Sequence, residues 1–148
     1  MKRIITAALV FGVMTANTVS VQAADNRVML PIANAMGDNN AQYRLGTSVK
    51  FYFGKQATPP VLEKIATDKT SLKTNAFGKT NEKACNWVFL SDMLQLQKRA
   101  KELGANAVIN IVSNYDNVEN SSETEFECHV GAIMAGVAFK GDFVRIAD

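Results

Sequence analysis

Four ionisable side chains alternate along one short stretch of this chain. Glu123, Glu125, Glu127 and His129 each stand two positions apart. Successive side chains of a β-strand point to opposite faces, so this spacing would place all four on one face. Carboxylates and imidazole bind divalent metals, which makes Glu125, Glu127 and His129 a candidate metal site. Alternating glutamates are also typical of the wet side of an antiparallel strand, and we favour that interpretation.

The only two cysteines, Cys85 and Cys128, are the other residues whose chemistry matters. In an oxidising compartment an even number of cysteines indicates a disulfide first. Two alternatives stay open, a pair of buried free thiols and a redox-labile bond. A catalytic thiol would need a base, but the single histidine, His129, follows Cys128 directly and would point to the opposite face. We therefore assign no catalytic residue.

Two elements must position these groups. Residues 123–130 alternate cleanly, so they predict a strand whose apolar face carries Phe126 and Cys128. A helix over Glu82–Leu103 should cover that face, with Asn81 as its N-cap and Gly104 ending it. Its apolar stripe contains Phe89, Met93, Leu96, Ala100 and Leu103, widened near the start by Trp87, Leu90 and Leu94. Its predicted solvent side contains Gln95, Gln97, Lys98, Lys101 and Glu102. A Cys85–Cys128 bond would fasten the first helical turn to the strand.

The remaining segments predict a small sheet. Residues 49–53, 61–74, 107–113 and 137–146 have strand-like composition, and the last has a shift in alternation at Gly141-Asp142 that indicates a bulge. Residues 24–60 form a largely irregular N-terminal part, and 61–148 a helix-plus-sheet core. We predict an α+β fold, a small, mainly antiparallel sheet covered by one long helix, in a single domain spanning 24–148.

The first 23 residues have the three-part layout of a secretory signal peptide. Lys2 and Arg3 precede an apolar run from Ile4 to Met14, and small residues end at Ala23. The run is too short for the roughly 20 residues that a membrane span requires. We predict cleavage after Ala23, with the next bond as the alternative. No cysteine follows the cleavage point to carry a lipid, so we predict a periplasmic protein without a membrane anchor.

Removing the leader changes the charge balance of the chain. The precursor carries a formal charge of +2, and its leader contains two basic residues and no acidic one. The mature protein is therefore neutral, which argues against a nucleic-acid partner. The glycines at 131, 136 and 141 do not match a phosphate-binding loop, and we predict no cofactor.

One stretch carries a likeness to a known superfamily. Residues 98–111, with Leu103-Gly104-Ala105-Asn106-Ala107 at their centre, resemble the helix-to-strand passage of the small YbjQ-like "heavy-metal-binding" domains and of RcsF, an outer-membrane stress-sensor lipoprotein. The resemblance spans roughly residues 61–146 and implies a helix feeding the central strand of a small sheet. This chain lacks the lipid-attachment cysteine of RcsF and has two cysteines where RcsF has four, so the sensor role is not transferred.

The whole chain resembles a second group more closely. Tyr52-Phe53-Gly54-Lys55-Gln56 and Glu127-Cys128-His129-Val130-Gly131-Ala132-Ile133 are similar to short secreted proteobacterial proteins called excinuclease ATPase subunits. The chain has no Walker A loop and no Cys-x-x-Cys zinc pair, so that activity does not fit its residues.

Export, neutrality and the lack of a catalytic constellation together predict a non-enzymatic binding or envelope-associated module with an envelope partner. Two other functions stay open. One is a periplasmic enzyme acting on envelope polymers, which would be indicated by clustered glutamates with a raised pKa in a cleft. The other is a metal-binding protein that uses Glu125, Glu127 and His129.

Overall fold

The structure of the protein, a computed structural model, describes residues 25–148. The predicted signal peptide, residues 1–23, lies outside this range. The described elements are β1 (Asn26–Pro31), α1 (Ile32–Gly37), α2 (Asn39–Leu45), β2 (Lys50–Phe53), β3 (Val61–Asn75), α3 (Asn81–Leu103), β4 (Ala107–Ser113), a 3-10 turn (Tyr115–Asn117), β5 (Glu125–Val130) and β6 (Met134–Ile146). Helix and sheet are combined in one α+β arrangement, in agreement with the predicted class.

Strand β6 organises the sheet. One of its edges pairs with β3 along its whole length, and the other pairs first with β5 and then with β4. Strand β1 extends the sheet beyond β5, and β2 extends it beyond β4. Only the β2–β4 pairing is parallel among these, so the described sheet is mainly antiparallel. Strand β6 has neighbours on both edges and is buried along most of its length. It is therefore the central strand of the core.

Helix α3 covers one face of the sheet. It begins one residue before the predicted start, because Thr80 rather than Asn81 is the N-cap and its hydroxyl accepts from the Lys83 N–H at 3.2 Å. It ends at Gly104, whose φ of 73° is the left-handed conformation that glycine adopts most easily. Local capping chemistry therefore determined both ends of the helix.

Aromatic packing joins α3 to the sheet. The Phe89 ring lies 4.6 Å from that of Phe126, 5.6 Å from that of Phe139 and 6.1 Å from that of Phe53, measured between centroids. All four side chains are buried. Phe89 thus contacts β2, β5 and β6 at once, so its burial and ring contacts link α3 to three strands.

Two predictions about the surface of α3 were wrong. Trp87, expected in the apolar stripe, is 52% exposed, whereas Gln97, expected on the solvent side, is buried. The amide of Gln97 donates a hydrogen bond to the carbonyl oxygen of Leu45 at the end of α2. The short helices α1 and α2 pack against α3 and shift its buried side toward Gln97. Helical periodicity alone does not reveal a second layer on the same helix.

The prediction of an irregular segment from residue 24 onward was also wrong, because ordered elements fill most of it. Pro31 ends β1 and begins α1, where its fixed φ and missing N–H are tolerated. Asp38 begins α2, and its carboxylate accepts from the N–H groups of Asn40 and Ala41. These elements are only six or seven residues long, too short to show a clear period in the sequence.

The predicted bulge lies across from its expected position. Strand β4 contains the extra residue between Ile109 and Val112, and Asn110 there has a φ of 51°. The opposing position, Gly141, has no room for a side chain. A Cβ there would lie 2.8 Å from Cγ1 of Val108 and 3.3 Å from Cγ1 of Ile111. The bulge in β4 therefore explains why residue 141 of β6 is a glycine.

We expect Gly141→Ala to lower the free energy of unfolding by about 1–3 kcal/mol, because the added methyl group overpacks the sheet. Urea denaturation would measure this loss. Gly37→Ala is the matched control, since a Cβ there meets nothing within 4 Å. Equal stability of the two variants would contradict the assignment.

Candidate functional site

The two cysteines lie at disulfide distance. Their sulfur atoms are 2.04 Å apart and their Cα atoms 6.0 Å apart. Cys85 is the fifth residue of α3 and Cys128 lies in β5, and both are fully buried. The pair connects the start of the helix to the strand that carries the alternating glutamates, so it supports the back of the candidate site.

The alternating face does not behave as one surface. Glu123 and Glu125 are exposed, as a solvated face requires, but Glu127 is buried and His129 is mostly covered. The solvated-face interpretation is therefore wrong for the second half of the strand. The reason lies in the segment 114–122, which crosses that half of the face.

His129 is held by three neighbours. Its Nε2 lies 2.6 Å from Oε1 of Glu127, and its Nδ1 lies 2.8 Å from Oδ2 of Asp25. The Tyr115 ring stacks on the imidazole with centroids 3.6 Å apart and planes 4° from parallel. An imidazole that donates from both nitrogens is the protonated form, which the two carboxylates favour.

Glu127 binds cationic and neutral donors with its second oxygen. Arg27 lies 3.0 Å and the amide nitrogen of Asn120 3.1 Å from its Oε2. Its backbone N–H donates to the hydroxyl of Ser113 at 3.0 Å. Both carboxylate oxygens therefore have polar partners. We call the set Asp25, Arg27, Tyr115, Asn120, Glu127 and His129 the open-face cluster.

Four members of this cluster are not indicated by the alternation in β5. Asp25 and Arg27 are about 100 positions away, and Tyr115 and Asn120 lie in the irregular segment before the strand. Strand β1 pairs antiparallel with β5, with Arg27 opposite His129, and this register brings Asp25 and Arg27 to the site. Tyr115 and Asn120 arrive through the 114–122 segment. The one available signal was the spacing of Asp25 and Arg27, two charged residues two positions apart before an apolar segment.

Burial and charge act in opposite directions on the titration of this cluster. Burial alone would raise the pKa of Glu127, but the hydrogen bonds from His129 and Asn120 and the charge of Arg27 outweigh it and lower that pKa. Burial alone would lower the pKa of His129, but the Glu127 and Asp25 carboxylates outweigh it and raise that pKa. The two groups therefore stabilise each other as an ion pair.

We expect the pKa of His129, followed by NMR of its imidazole protons, to lie above the usual 6.5 and to fall in Glu127→Gln. Since folding raises this pKa, the stabilisation that His129 provides is complete below the unfolded-state value and disappears as pH rises through the folded-state value. Glu125→Gln, altering an exposed carboxylate on the same strand, should leave the titration unchanged. A His129 pKa that is equal in all three proteins would contradict the ion pair.

The segment over the cluster has unusual backbone geometry. Asp116 and Asn117 have φ values of 51° and 60°, in the left-handed region that few non-glycine residues occupy. Gly136 of β6 lies beneath, where a Cβ would come within 3.2 Å of Cε2 of Tyr115. The absence of a side chain at Gly136 therefore allows the Tyr115 ring to pack directly against the sheet.

An open cleft of about 370 Å³ lies between this segment and the strands β1 and β5. Its lining residues are Arg27, Tyr115, Asp116, Val118, Glu119, Asn120, Glu127 and His129. Val118 is 69% exposed at its margin. The cleft thus offers a cation, carboxylates and one apolar side chain to a ligand.

The predicted metal ligands are not assembled as one set. Across residues 25–148, no group of three or more His, Cys, Asp or Glu side chains is arranged to hold a metal ion. Glu127 and His129 bond to each other, and Glu125 is exposed. The metal function stays a prediction, and calorimetric titration with zinc of the protein and of His129→Ala would test it. Unchanged binding in the variant would exclude this site.

Comparison with known proteins does not identify the chain. No family model matches it, and neither does any curated protein. The two resemblances therefore stay predictions. In the described part of the chain, no helix combines the length and apolar character needed to cross a membrane.

Proposed function

We propose that this protein is an exported, non-enzymatic binding module of the bacterial cell envelope that recognises its partner with the open-face cleft. The observation that carries this proposal is the internal pairing of the cluster. Both nitrogens of His129 and both carboxylate oxygens of Glu127 are engaged by neighbouring side chains. Such a network fixes the shape of a surface and leaves its margin free for contact.

The titration of the cluster favours binding over catalysis. A carboxyl group that acts as general acid near neutral pH needs a raised pKa. The pKa of Glu127 is lowered, and the carboxyl with a strongly raised pKa, Asp92, is buried between α3 and the sheet. The sign that would indicate an enzyme acting on envelope polymers is therefore not found at Glu127.

The predicted location supports the same function. A leader of the secretory type and a buried cysteine pair at disulfide distance both suit an oxidising compartment. The partner is then an envelope component that complements Arg27, Asp116 and Val118 at the cleft margin.

Site-specific photocrosslinking tests the proposal in cells. A photoreactive side chain at Val118, in the cleft, should trap an envelope component, and Arg27→Gln should reduce that adduct. The control position is Tyr43 on α2, which is 89% exposed and does not line the cleft. Equal adducts from both positions would contradict the cleft as the binding site. A hydrolytic activity of the purified protein that Glu127→Gln abolishes would overturn the non-enzymatic assignment.

A further inference from the structure

Three large apolar side chains are exposed near one end of the sheet, and none of them lines the open-face cleft. Phe77 is 75% exposed, Ile133 61% and Met134 40%. Phe77 lies in the turn after β3, Ile133 in the turn before β6, and Met134 is the first residue of β6. The Ala76 N–H donates to the Ile133 carbonyl at 2.8 Å, which joins the two turns. We call these three residues the apolar tip. Contiguous exposed apolar groups of this kind mark interaction sites.

Both turns of the apolar tip are braced by hydrogen bonds. The Phe77 N–H donates to the side-chain oxygen of Asn75 at 2.8 Å, and the Lys79 ammonium donates to the Asn75 carbonyl at 2.8 Å. The Gly131 N–H donates to the Met134 carbonyl, also at 2.8 Å. The backbone therefore presents these side chains to water in a fixed arrangement, and insertion into an apolar medium would require little reordering.

Basic residues outnumber acidic ones near the apolar tip, although the mature chain as a whole is predicted to be neutral. Lys73 precedes the tip residue Phe77 and Lys79 and Lys83 follow it, and the acidic residues near this end are Glu82 and Asp25. Residues 131–137 contain no charged residue. Exposed apolar side chains with lysines nearby complement a bilayer with anionic headgroups, because the lysines can contact phosphates while the apolar side chains are transferred out of water.

Strand β1 begins at the same end of the sheet. Asn26, the first residue of β1, pairs with Val130, one position before the turn that contains Ile133 and leads into Met134. The 25 residues that precede Asn26 include the apolar run Ile4–Met14 of the predicted signal peptide. In the sequence, the predicted leader therefore precedes the strand end that lies beside the apolar tip.

We propose that the apolar tip binds anionic lipid bilayers, with Phe77, Ile133 and Met134 entering the headgroup region and the nearby lysines contacting phosphates. This surface is separate from the open-face cleft, and the proposal does not depend on the ligand of that cleft. It describes contact with one leaflet and requires no membrane-spanning helix.

Vesicle cosedimentation of the purified exported protein tests this proposal. We expect binding to vesicles of phosphatidylethanolamine and phosphatidylglycerol, weaker binding to phosphatidylcholine alone, and weakening by salt. Phe77→Ser should reduce the lipid partition coefficient by about tenfold, because the variant loses the free energy of transferring one large apolar side chain from water to the bilayer. Ile133→Ser should reduce it in the same direction.

Leu62→Ser is the matched control, because Leu62 is 70% exposed near the opposite end of β3. All three changes remove exposed side chains, so the urea midpoints of the variants should equal that of the wild type. Lipid binding that is unaffected by Phe77→Ser and Ile133→Ser, or lowered equally by Leu62→Ser, would overturn the proposal. So would a lack of binding to anionic vesicles by the wild-type protein. Neither result would affect crosslinking at Val118.

Discussion

Replacing both cysteines, Cys85→Ala with Cys128→Ala, should lower the free energy of unfolding by about 4 kcal/mol, the chain-entropy value for a closed loop of roughly 44 residues. The bond would limit the unfolded chain between α3 and β5, which are 43 positions apart at these residues. Urea denaturation of the oxidised wild type and the double variant would measure the difference. A loss of this size is comparable to much of the stability of an ordinary domain.

Reductant provides the control for this prediction. Because both sulfur atoms belong to fully buried residues, reduction of the native protein should be slow and should accelerate under partly denaturing conditions. Reduced wild type should then resemble the double variant, whose stability should not respond to reductant. Equal stability of oxidised and reduced wild type would show that the pair does not constrain the unfolded chain.

Asp92→Asn should stabilise the protein at neutral pH, which is the opposite of what most core substitutions do. Asp92 is fully buried in α3, and neither of its carboxylate oxygens has a hydrogen-bond partner of good geometry. Burial raises the pKa of Asp92 to about 8, and the nearby Thr70 hydroxyl only partly opposes this. The carboxyl group is therefore mainly protonated in the folded protein at pH 7, where the unfolded chain would release the proton.

The direction of the pH dependence follows from that difference. Below pH 3.8, the ordinary value, Asp92 is protonated in both states and has no linked effect. Between there and about pH 8 only the folded state holds the proton, so Asp92 lowers stability progressively as pH rises. At pH 7 this amounts to a few kcal/mol, on the order of 1.4 kcal/mol for each pH unit above the unfolded-state value.

Denaturant titrations from pH 4 to pH 9 should therefore show a flatter stability profile for Asp92→Asn, with its largest gain at about pH 8 and above. Asp68→Asn is the control, since Asp68 is a half-exposed carboxylate that pairs with Arg99 at 3.0 Å. Its removal should change stability by less than about 1 kcal/mol. A variant profile parallel to that of the wild type would mean that Asp92 titrates alike in the folded and unfolded states.

The position of Asp92 was visible in the sequence as a break in a pattern. It stands three residues after Phe89 and four before Leu96, so it occupies the apolar stripe of α3. The periodicity predicts that this position is buried, but the pKa depends on what the sheet places opposite it. Thr70 of β3 is that neighbour, and no local rule brings positions 70 and 92 together.

The sequence by itself determined the features that depend on neighbouring residues along the chain. The spacing of Phe89, Met93, Leu96 and Ala100 specified α3, Gly104 ended it, and alternation specified β5 and most of β6. The composition of the leader predicted export, and the two cysteines predicted a pair that the structure places at disulfide distance. Each of these inferences uses short-range geometry, which is the same in every fold.

Only the tertiary structure decided what the glutamate and histidine residues of β5 do. Alternation placed Glu127 and His129 on one face, but the solvent exposure of that face depends on which other segments pack over it. The pairing of β1 with β5 brings Asp25 and Arg27 over about 100 positions, and the 114–122 segment brings Tyr115 and Asn120. Strand register and loop placement arise from packing of the whole chain, so part of a face that local spacing predicts as solvated becomes an ion-pair cluster in which Glu127 is buried and His129 mostly covered.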